Sequence, residues 1–248
     1  MHRIFLAFGF LLTSLISTAA GVSDTLTVMS YNIRNAIGMD NVRNYGRTAA
    51  VITAAKPDVV AVLEVDSMTA RSNSSYVLGE LATRTGLHPT YSPAIDYDGG
   101  RYGIGILSAE KPISVTRHPL PGREEARTIV IAEFPSFIFA ATHLSLTAED
   151  ALESASIINR LTSGKKKPVI IAGDFNVHPD SETIARLCEN FTMVNAPAEA
   201  TFPADKPNET IDYIMLRGAG LTPISCEIIN APVESDHRPI TAKFLIKQ

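Results

Sequence analysis

Short β-type runs alternate with helical stretches along this chain, and several of the runs are apolar at every position. Val59–Leu63 and Val169–Ala172 are two such runs. A strand without a polar face must be covered on both sides, so these runs indicate sheets that lie beneath helices. Phe134-Pro135-Ser136-Phe137 has the composition of a hairpin turn, which predicts antiparallel pairing beside βα units. The predicted strands are Thr25–Tyr31, Val59–Leu63, Gly103–Leu107, Thr128–Phe134, Phe137–Thr142, Val169–Ala172, Ile211–Leu216 and Ile240–Ile246.

In the segments between these strands, apolar residues recur at helical spacing. One helix is expected to stop ahead of Pro57 and another at Gly86, because proline and glycine end helices. Thr147 is the expected N-cap of a third, and Asp150 three residues later completes a shortened capping box. The predicted helices are Arg47–Ala55, Ser75–Thr85, Thr147–Leu161 and Asp180–Cys188.

The N-terminal segment has the pattern of an export signal. Arg3 precedes the apolar run Ile4–Ile16, and small residues follow up to Ala20. The run is short for a bilayer span, and a buried element of the fold or a retained membrane anchor are the alternatives. We expect residues 1–20 to be a signal peptide and residues 21–248 to form a single domain. The protein would then be exported, periplasmic or secreted, with no stable membrane insertion after cleavage.

The charge balance is acidic, with 22 Lys and Arg against 26 Asp and Glu and a formal net charge of −4. Such a surface does not attract nucleic acid by bulk electrostatics, although a bound divalent cation changes the local field. The basic cluster Lys165-Lys166-Lys167 is expected at a solvated turn away from any cleft. An exported location permits Cys188 and Cys226 to form a disulfide, and two free thiols are the alternative.

Polar residues follow the apolar runs at the points where strands are expected to end. A lone Asp or His at such a point is usually a turn former or a hydrogen-bonded structural residue. Together these residues would share one rim of the fold, where crowded carboxylates repel one another unless a cation joins them. Oxygen ligands without cysteine suit Mg²⁺ or Mn²⁺. The set is Asn32, Glu64, His143, Asp174, Asn176, Asp212, Asp236 and His237.

The same residues lie in motifs that occur in a fixed order along the chain. The motifs are Met29-Ser30-Tyr31-Asn32-Ile33-Arg34, Leu63-Glu64-Val65, Thr142-His143-Leu144, Gly173-Asp174-Phe175-Asn176, Ile211-Asp212-Tyr213-Ile214 and Ser235-Asp236-His237-Arg238-Pro239. This series resembles the endonuclease/exonuclease/phosphatase superfamily from about Leu26 to Phe244. The resemblance implies the DNase I-like α/β fold, a four-layered sandwich with two mixed, mainly antiparallel β-sheets flanked by helices.

The resemblance also implies roles for the matching residues. Glu64 corresponds to the principal metal-binding glutamate of the family, and Asn32 and Asp236 lie near the same ion in the family pattern. Asp212 and His237 correspond to the family's Asp–His pair. The implied cofactor is Mg²⁺, with Mn²⁺ as the other candidate.

The remaining matches concern the substrate phosphate. Asp174 and Asn176 match the pair that orients the nucleophile and holds the phosphate, and His143 matches a His that some members use toward the phosphate or leaving group. Tyr102 and Arg127 match phosphate-contacting positions more loosely. A packing Tyr and a surface Arg are the alternatives for those two.

These roles predict an exported, Mg²⁺-dependent hydrolase of phosphate esters, a phosphodiesterase or phosphatase, in which water attacks in line. His237 held by Asp212 is the expected general base, with Asp174 as the rival base. A secreted endonuclease or exonuclease acting on DNA or RNA is the alternative, and a non-catalytic binding protein on the same fold is the alternative of another class. The core residues are shared among substrate classes, so they leave the substrate unspecified. We expect a monomer.

Overall fold

The computed structural model of the protein describes residues 25–247, which form two six-stranded sheets and four α-helices. The helices are α1 (Tyr45–Ala55), α2 (Val77–Thr85), α3 (Ala148–Thr162) and α4 (Glu182–Cys188). The strands are β1 (Thr25–Asn32), β2 (Val59–Ser67), β3 (His88–Tyr97), β4 (Gly100–Ser108), β5 (Ser114–Leu120), β6 (Arg127–Glu133), β7 (Ile138–His143), β8 (Val169–Asp174), β9 (Thr192–Met193), β10 (Asp212–Arg217), β11 (Leu221–Ile228) and β12 (Ile240–Ile246). The predicted signal peptide lies outside the described residues.

Both sheets are mixed and mainly antiparallel. The first has the strand order β11-β12-β1-β2-β4-β3 and the second the order β5-β6-β7-β8-β10-β9. Only β1 with β2, and β7 with β8, pair in parallel among the described strands. The parallel pairs lie in the interior of their sheets, and each brings two strand ends to the same edge.

Three hydrophobic clusters divide the molecule into four layers. One cluster lies between the sheets and includes Val28 and Ala61 of the first sheet and Ile170 of the second. The neighbours of these residues point the other way: Met29 packs with α1 and α2, and Ile171 packs with α3 and α4. Strands buried on both faces therefore explain the apolar runs, and the predicted four-layered sandwich is confirmed.

The strands that the sequence pattern did not predict are the four sheet edges, β3, β5, β9 and β11. Pro89 and Pro93 lie in β3, Pro119 lies in β5 and Pro223 lies in β11. Proline is confined to edge strands because it has no backbone N–H to donate to a neighbouring strand. Edge strands also carry exposed polar positions, so they show no continuous apolar run. The β9 strand has only two residues.

The predicted capping box at the start of α3 is wrong. Thr147 is the N-cap, but its side chain makes no cap hydrogen bond and donates instead to Glu124 Oε2 at 3.1 Å. Asp150 accepts from the backbone N–H and the guanidinium of Arg123 at 2.8 Å each. These contacts fasten the loop between β5 and β6 to the start of α3.

Two further sequence predictions concern features away from the strand ends. Lys167 contacts Glu133 Oε1 at 2.7 Å at the opposite end of the second sheet from Asp174, so the lysine cluster lies away from that end. Cys188 and Cys226 are both free, which is the free-thiol alternative.

Within residues 25–247, no helix is long and apolar enough to span a membrane.

Candidate active site

The carboxyl ends of β1, β7 and β8, together with a bulge inside β2, bring the predicted polar residues to one rim; β2 continues to Ser67, so Glu64 does not follow the end of its strand as predicted. In the second sheet His143 lies opposite Asp174, and Asp174 lies opposite Asp212 at the start of β10. In the first sheet Asn32 lies opposite Leu63, next to Glu64. Strand pairing therefore places three of the predicted residues on the second sheet and two on the first: His143, Asp174 and Asp212, and Asn32 and Glu64.

Two backbone irregularities aim residues into the space between these ends. The register of β2 against β4 shifts between Val62 and Val65, and Glu64 in this bulge has a φ of 58°. Asn176 has a φ of 53°, and its N–H donates to Asp174 Oδ1 at 3.0 Å. Left-handed backbone is unfavourable for Glu, whereas Asn tolerates it better than most residues, and strain of the kind at Glu64 clusters at functional sites.

Asn32 joins the two sheets across this rim. Its Nδ2 donates to Glu64 Oε1 and to Asp174 Oδ2, each at 3.0 Å. Its Oδ1 accepts from the Arg34 N–H at 3.1 Å, and its backbone oxygen accepts from Ser235 Oγ at 2.8 Å. With the amide oxygen already engaged, Asn32 acts here as a donor that orients two carboxylates. Its predicted place beside a metal ion stays a prediction.

His237 and Asp212 form the predicted pair. The imidazole Nδ1 lies 2.9 Å from Asp212 Oδ2, which also accepts from Thr201 Oγ1 at 2.5 Å. The other ring nitrogen, Nε2, lies 3.6 Å from Asp174 Oδ2. Burial opposes the charged imidazole, but the carboxylates of Asp212, Asp174 and Asp236 outweigh it and raise the pKa of His237 to about 10.

His143 is held as a neutral imidazole. Its Nε2 accepts from Asn176 Nδ2 at 2.9 Å, and the same amide group donates to the Leu144 oxygen at 3.0 Å. Asp174 Oδ2 lies 3.5 Å from Nε2, but burial dominates and lowers the pKa of His143 to about 4. The two histidines therefore carry different charges at neutral pH.

We expect His143 to make the protein less stable in acid. The unfolded chain protonates its histidine near pH 6.5, whereas the folded pKa is about 4. The unfolded state therefore binds more protons between these values, and the free energy of unfolding falls by up to about 3 kcal/mol as the pH drops from 6.5 to 4. Urea titrations of the wild type and the His143→Gln variant across this window measure the difference in slope. Parallel profiles would contradict a neutral buried His143.

Arg127 and Tyr102 also lie at the site. Arg127 is 6% exposed and contacts Glu125 Oε1 at 2.9 Å, Glu124 Oε1 at 3.3 Å and His143 Nδ1 at 3.4 Å. The surface-Arg alternative is therefore wrong. Tyr102 is buried and lines a cavity with Glu64. Burial and the Glu64 charge raise the pKa of Tyr102 above its ordinary range, so its hydroxyl remains a donor.

Two groups of side chains at this rim have the donors that a divalent cation requires. Burial, followed by the charges of Asp236 and Asp174, raises the pKa of Glu64. The positive charge of a bound cation would stabilise the ionised form of this carboxylate. Ligand atoms of Asp174, Asp212 and His237 also lie within 4.8 Å of one another. Asp212 Oδ2 already accepts two hydrogen bonds in that second group, so we favour the side that contains Glu64 and Asp236.

Sequence reasoning gave no role to several residues that complete the site. Thr201 binds Asp212, and the Phe202 ring lies 4.8 Å from the His237 ring. Both belong to an irregular segment between β9 and β10, where no periodicity exists to indicate a partner. Ser235 precedes the Asp-His motif and binds Asn32. Its position in the motif is a signal that could have identified it.

Several proteins of known structure have a fold similar to that of this chain. A structure of an endonuclease/exonuclease/phosphatase from Beutenbergia cavernae is 20% identical, with a TM-score of 0.75 over 90% of this chain and 72% of that one. A mannosyl-6-phosphatase of Bacteroides thetaiotaomicron is 18% identical, with a TM-score of 0.70 over 89% and 100%. D. rerio TDP2 complexed with single-strand DNA product is 17% identical, with a TM-score of 0.67 over 89% and 98%. These likenesses show the fold.

Family membership rests on the sequence itself. The sequence model of the Endonuclease/Exonuclease/phosphatase family matches residues 29–237. This range begins in β1 and ends at His237, so it contains every polar residue of the rim described above. The chain therefore belongs to the endonuclease/exonuclease/phosphatase family.

Proposed function

We propose that the protein is an exported hydrolase of phosphate esters that depends on Mg²⁺ or Mn²⁺. One observation carries the proposal: Asp174 Oδ2 contacts Asn32, which holds Glu64, and lies 3.6 Å from His237, which is held by Asp212. An acid–base pair and a buried carboxylate thus face the same small space. This is the arrangement that hydrolysis of an anionic ester requires.

The chain's own residues move the proton. Asp212 fixes the His237 ring through Nδ1, so that Nε2 faces Asp174. Water attacks phosphorus, its oxygen forms the new P–O bond, and its proton passes to His237 Nε2 or to Asp174. The ester P–O bond breaks, and the leaving oxygen takes up a proton from the protonated His237 or Asp174 or from solvent. Asp174 is the rival base because its Oδ2 lies between both histidines.

A divalent cation bound at Glu64 and Asp236 would stabilise the negative charge on the phosphoryl and leaving oxygens. The donor set fits such an ion, because it consists of carboxylate oxygens and contains no sulfur. A pKa of about 10 keeps His237 protonated at neutral pH, and nearby positive charge would lower that pKa toward the range of a base. Asn32 keeps Glu64 in place through its amide group.

The other side of the space is suited to the phosphate. Asn176 donates both hydrogens of its amide group, one to His143 Nε2 and one to the Leu144 oxygen, so it fixes His143 and keeps no free hydrogen for the phosphate. Arg127 adds positive charge beside His143, and Tyr102 adds a neutral hydroxyl. Preorganised donors of this kind stabilise charge that develops on phosphoryl oxygens.

Purified protein without residues 1–20 should hydrolyse at least one phosphate ester in Mg²⁺ or Mn²⁺ and lose this activity in EDTA. The panel comprises plasmid, single-stranded RNA, sphingomyelin, inositol phosphates and sugar phosphates, assayed for nicking, for shortened RNA, for released phosphocholine and for released phosphate respectively. Restoration by added Mg²⁺ controls for damage by the chelator. Turnover that survives EDTA, or no turnover on any member, would contradict the proposal.

A secreted nuclease is the second candidate. Its support is the family, and the TDP2 structure was complexed with single-strand DNA product. The acidic balance of the chain favours a small ester over a polyanion, since net charge −4 repels nucleic acid at long range. Plasmid nicking faster than release of phosphate from small esters would favour the nuclease. A non-catalytic binding protein on the same fold would show no metal-dependent turnover.

Export and a monomeric state complete the proposal. The predicted signal peptide, the short apolar run after Arg3 within residues 1–20, supports a periplasmic or secreted location. Detection of the full-length chain, with residues 1–20 still attached, in the cytoplasm would count against it.

A further inference from the structure

A cavity of about 370 Å³ opens beside Glu64, and its lining includes neither His237 nor Asp212. Its lining includes Arg71, Tyr97, Tyr102 and Asn35. The volume lies at the lower end of the range for small-molecule sites. It therefore suits one ring-sized group that is attached to a phosphate at Glu64.

Arg71 is fixed before any ligand binds. Its Nε and one terminal nitrogen each donate to the buried Asp66 carboxylate at 2.7 Å. Its guanidinium carbon lies 4.4 Å from the Tyr97 ring centroid and 5.3 Å from that of Tyr102. The remaining terminal nitrogen makes one long contact, to the Tyr97 hydroxyl at 3.4 Å. This group keeps donor capacity for a ligand.

Asn35 presents the complementary group. Its Nδ2 donates to Asp66 Oδ2 at 2.6 Å, which fixes which end of the amide is oxygen. Asn35 is 3% exposed, and its Oδ1 has no hydrogen-bond partner among residues 25–247. A buried acceptor without a partner is costly. A hydroxyl group on a ligand would satisfy it.

The charges around the cavity disfavour a second phosphate. Asp66 already neutralises Arg71, and Arg34 lies 3.6 Å from Asp236. Glu64 and Glu125 contribute carboxylates to the lining. The cavity therefore offers hydrogen-bond donors and acceptors together without spare positive charge. Hydroxyl groups match such a lining because each can both donate and accept.

We propose that this cavity binds a neutral, polyhydroxylated leaving group, such as a sugar or cyclitol ring, of the phosphate ester. This inference rests on the proposed function and specifies its substrate class. Arg71 and Tyr97 donate to ring hydroxyls, and Asn35 Oδ1 accepts from one. The exposed side of the Tyr97 ring adds an apolar surface for ring carbons.

The first test compares leaving groups on the wild-type protein in Mg²⁺. We expect kcat/KM for a hexose monophosphate or inositol monophosphate to exceed that for phenyl phosphate and for a hexose bisphosphate by about tenfold or more, as a few buried hydrogen bonds allow. Equal or higher values for phenyl phosphate, with metal-dependent turnover intact, would overturn the inference and leave the proposed function standing. Absence of turnover on every ester would overturn both.

The second test removes the two groups singly. Tyr97→Phe deletes the hydroxyl, and Asn35→Gly deletes the acceptor while suiting the φ of 52° at this position. Each should lower the ratio of kcat/KM for hexose phosphate over phenyl phosphate by about tenfold. Tyr76→Phe, which also removes a tyrosine hydroxyl but lies outside the cavity lining, is the matched control and should leave this ratio unchanged.

Binding provides a readout that does not need turnover. Calorimetric Kd values for the same esters, measured with Mg²⁺ on a His237→Ala background, should show the same loss of preference in Tyr97→Phe and Asn35→Gly. Urea denaturation identifies any variant that is unfolded. If Asn35→Gly fails to fold, Tyr97→Phe still tests the inference, because position 97 is 40% exposed. Ratios that do not move in Tyr97→Phe would refute the proposed contacts.

Discussion

Replacement of His237 by alanine should lower kcat for metal-dependent ester hydrolysis about a thousandfold, as loss of one general base typically does. The ring is 5% exposed and is oriented by Asp212, so no other imidazole can take its position. His143 cannot replace it, because burial lowers its pKa to about 4 and Asn176 occupies its Nε2. Stopped assays at saturating ester and Mg²⁺ measure the effect.

His88→Ala is the control for the loss of a histidine. His88 pairs with Ser108 at the end of the first sheet opposite Glu64, so this variant should retain wild-type kcat. Circular dichroism and urea midpoints show whether His237→Ala is folded. A folded His237→Ala protein with near-normal kcat would remove His237 as the base, and a thousandfold loss in Asp174→Ala alone would assign that role to Asp174.

Replacement of Glu64 by glutamine should raise the Mg²⁺ concentration for half-maximal activity on the order of a hundredfold, the upper range for disturbed metal sites. The substitution removes the negative charge but keeps an oxygen that can accept from Asn32 Nδ2. It also leaves the bulge in β2 intact, because the backbone is unchanged. Activity measured against Mg²⁺ concentration gives the half-saturation point directly.

Glu110→Gln supplies the matched control, because Glu110 is exposed and follows Ser108 at the far end of β4. Its metal titration should coincide with that of the wild type. If the Glu64→Gln titration also coincides, Glu64 is not a metal ligand. The group of Asp174, Asp212 and His237 would then be the better candidate for the cation, and Asp212→Asn would be expected to move the titration instead.

Interior strands were predictable because their own residues are apolar at every position, which indicates burial on both faces. Val59–Leu63 and Val169–Ala172 lie in strands covered on both faces, so each position is apolar whatever its partner. The edge strands β3 and β11 contain exposed positions and prolines. Their pairing depends on backbone hydrogen bonds to a neighbour, and the side-chain pattern does not encode that neighbour.

The site was predictable in its membership but not in its contacts. Asn32 and Asp174 are 142 residues apart in sequence, and their 3.0 Å hydrogen bond exists only because the two sheets meet at this rim. The Asn32 amide oxygen, by contrast, is engaged locally by the Arg34 N–H two residues along the chain. The meeting of the sheets also buries Arg127, which reads as an ordinary charged residue in the sequence.

The amino-acid sequence by itself determined the layered α/β class, the interior strands and the polar residues at their ends, because apolar periodicity and short motifs are local. The tertiary structure alone decided which charges meet. It gave the two histidines opposite pKa shifts. Among the described residues it also left Asn35 Oδ1 without a hydrogen-bond partner, in the cavity that Arg71 lines. Electrostatic and hydrogen-bond energies depend on distances between side chains, and those distances are set by how the sheets pack.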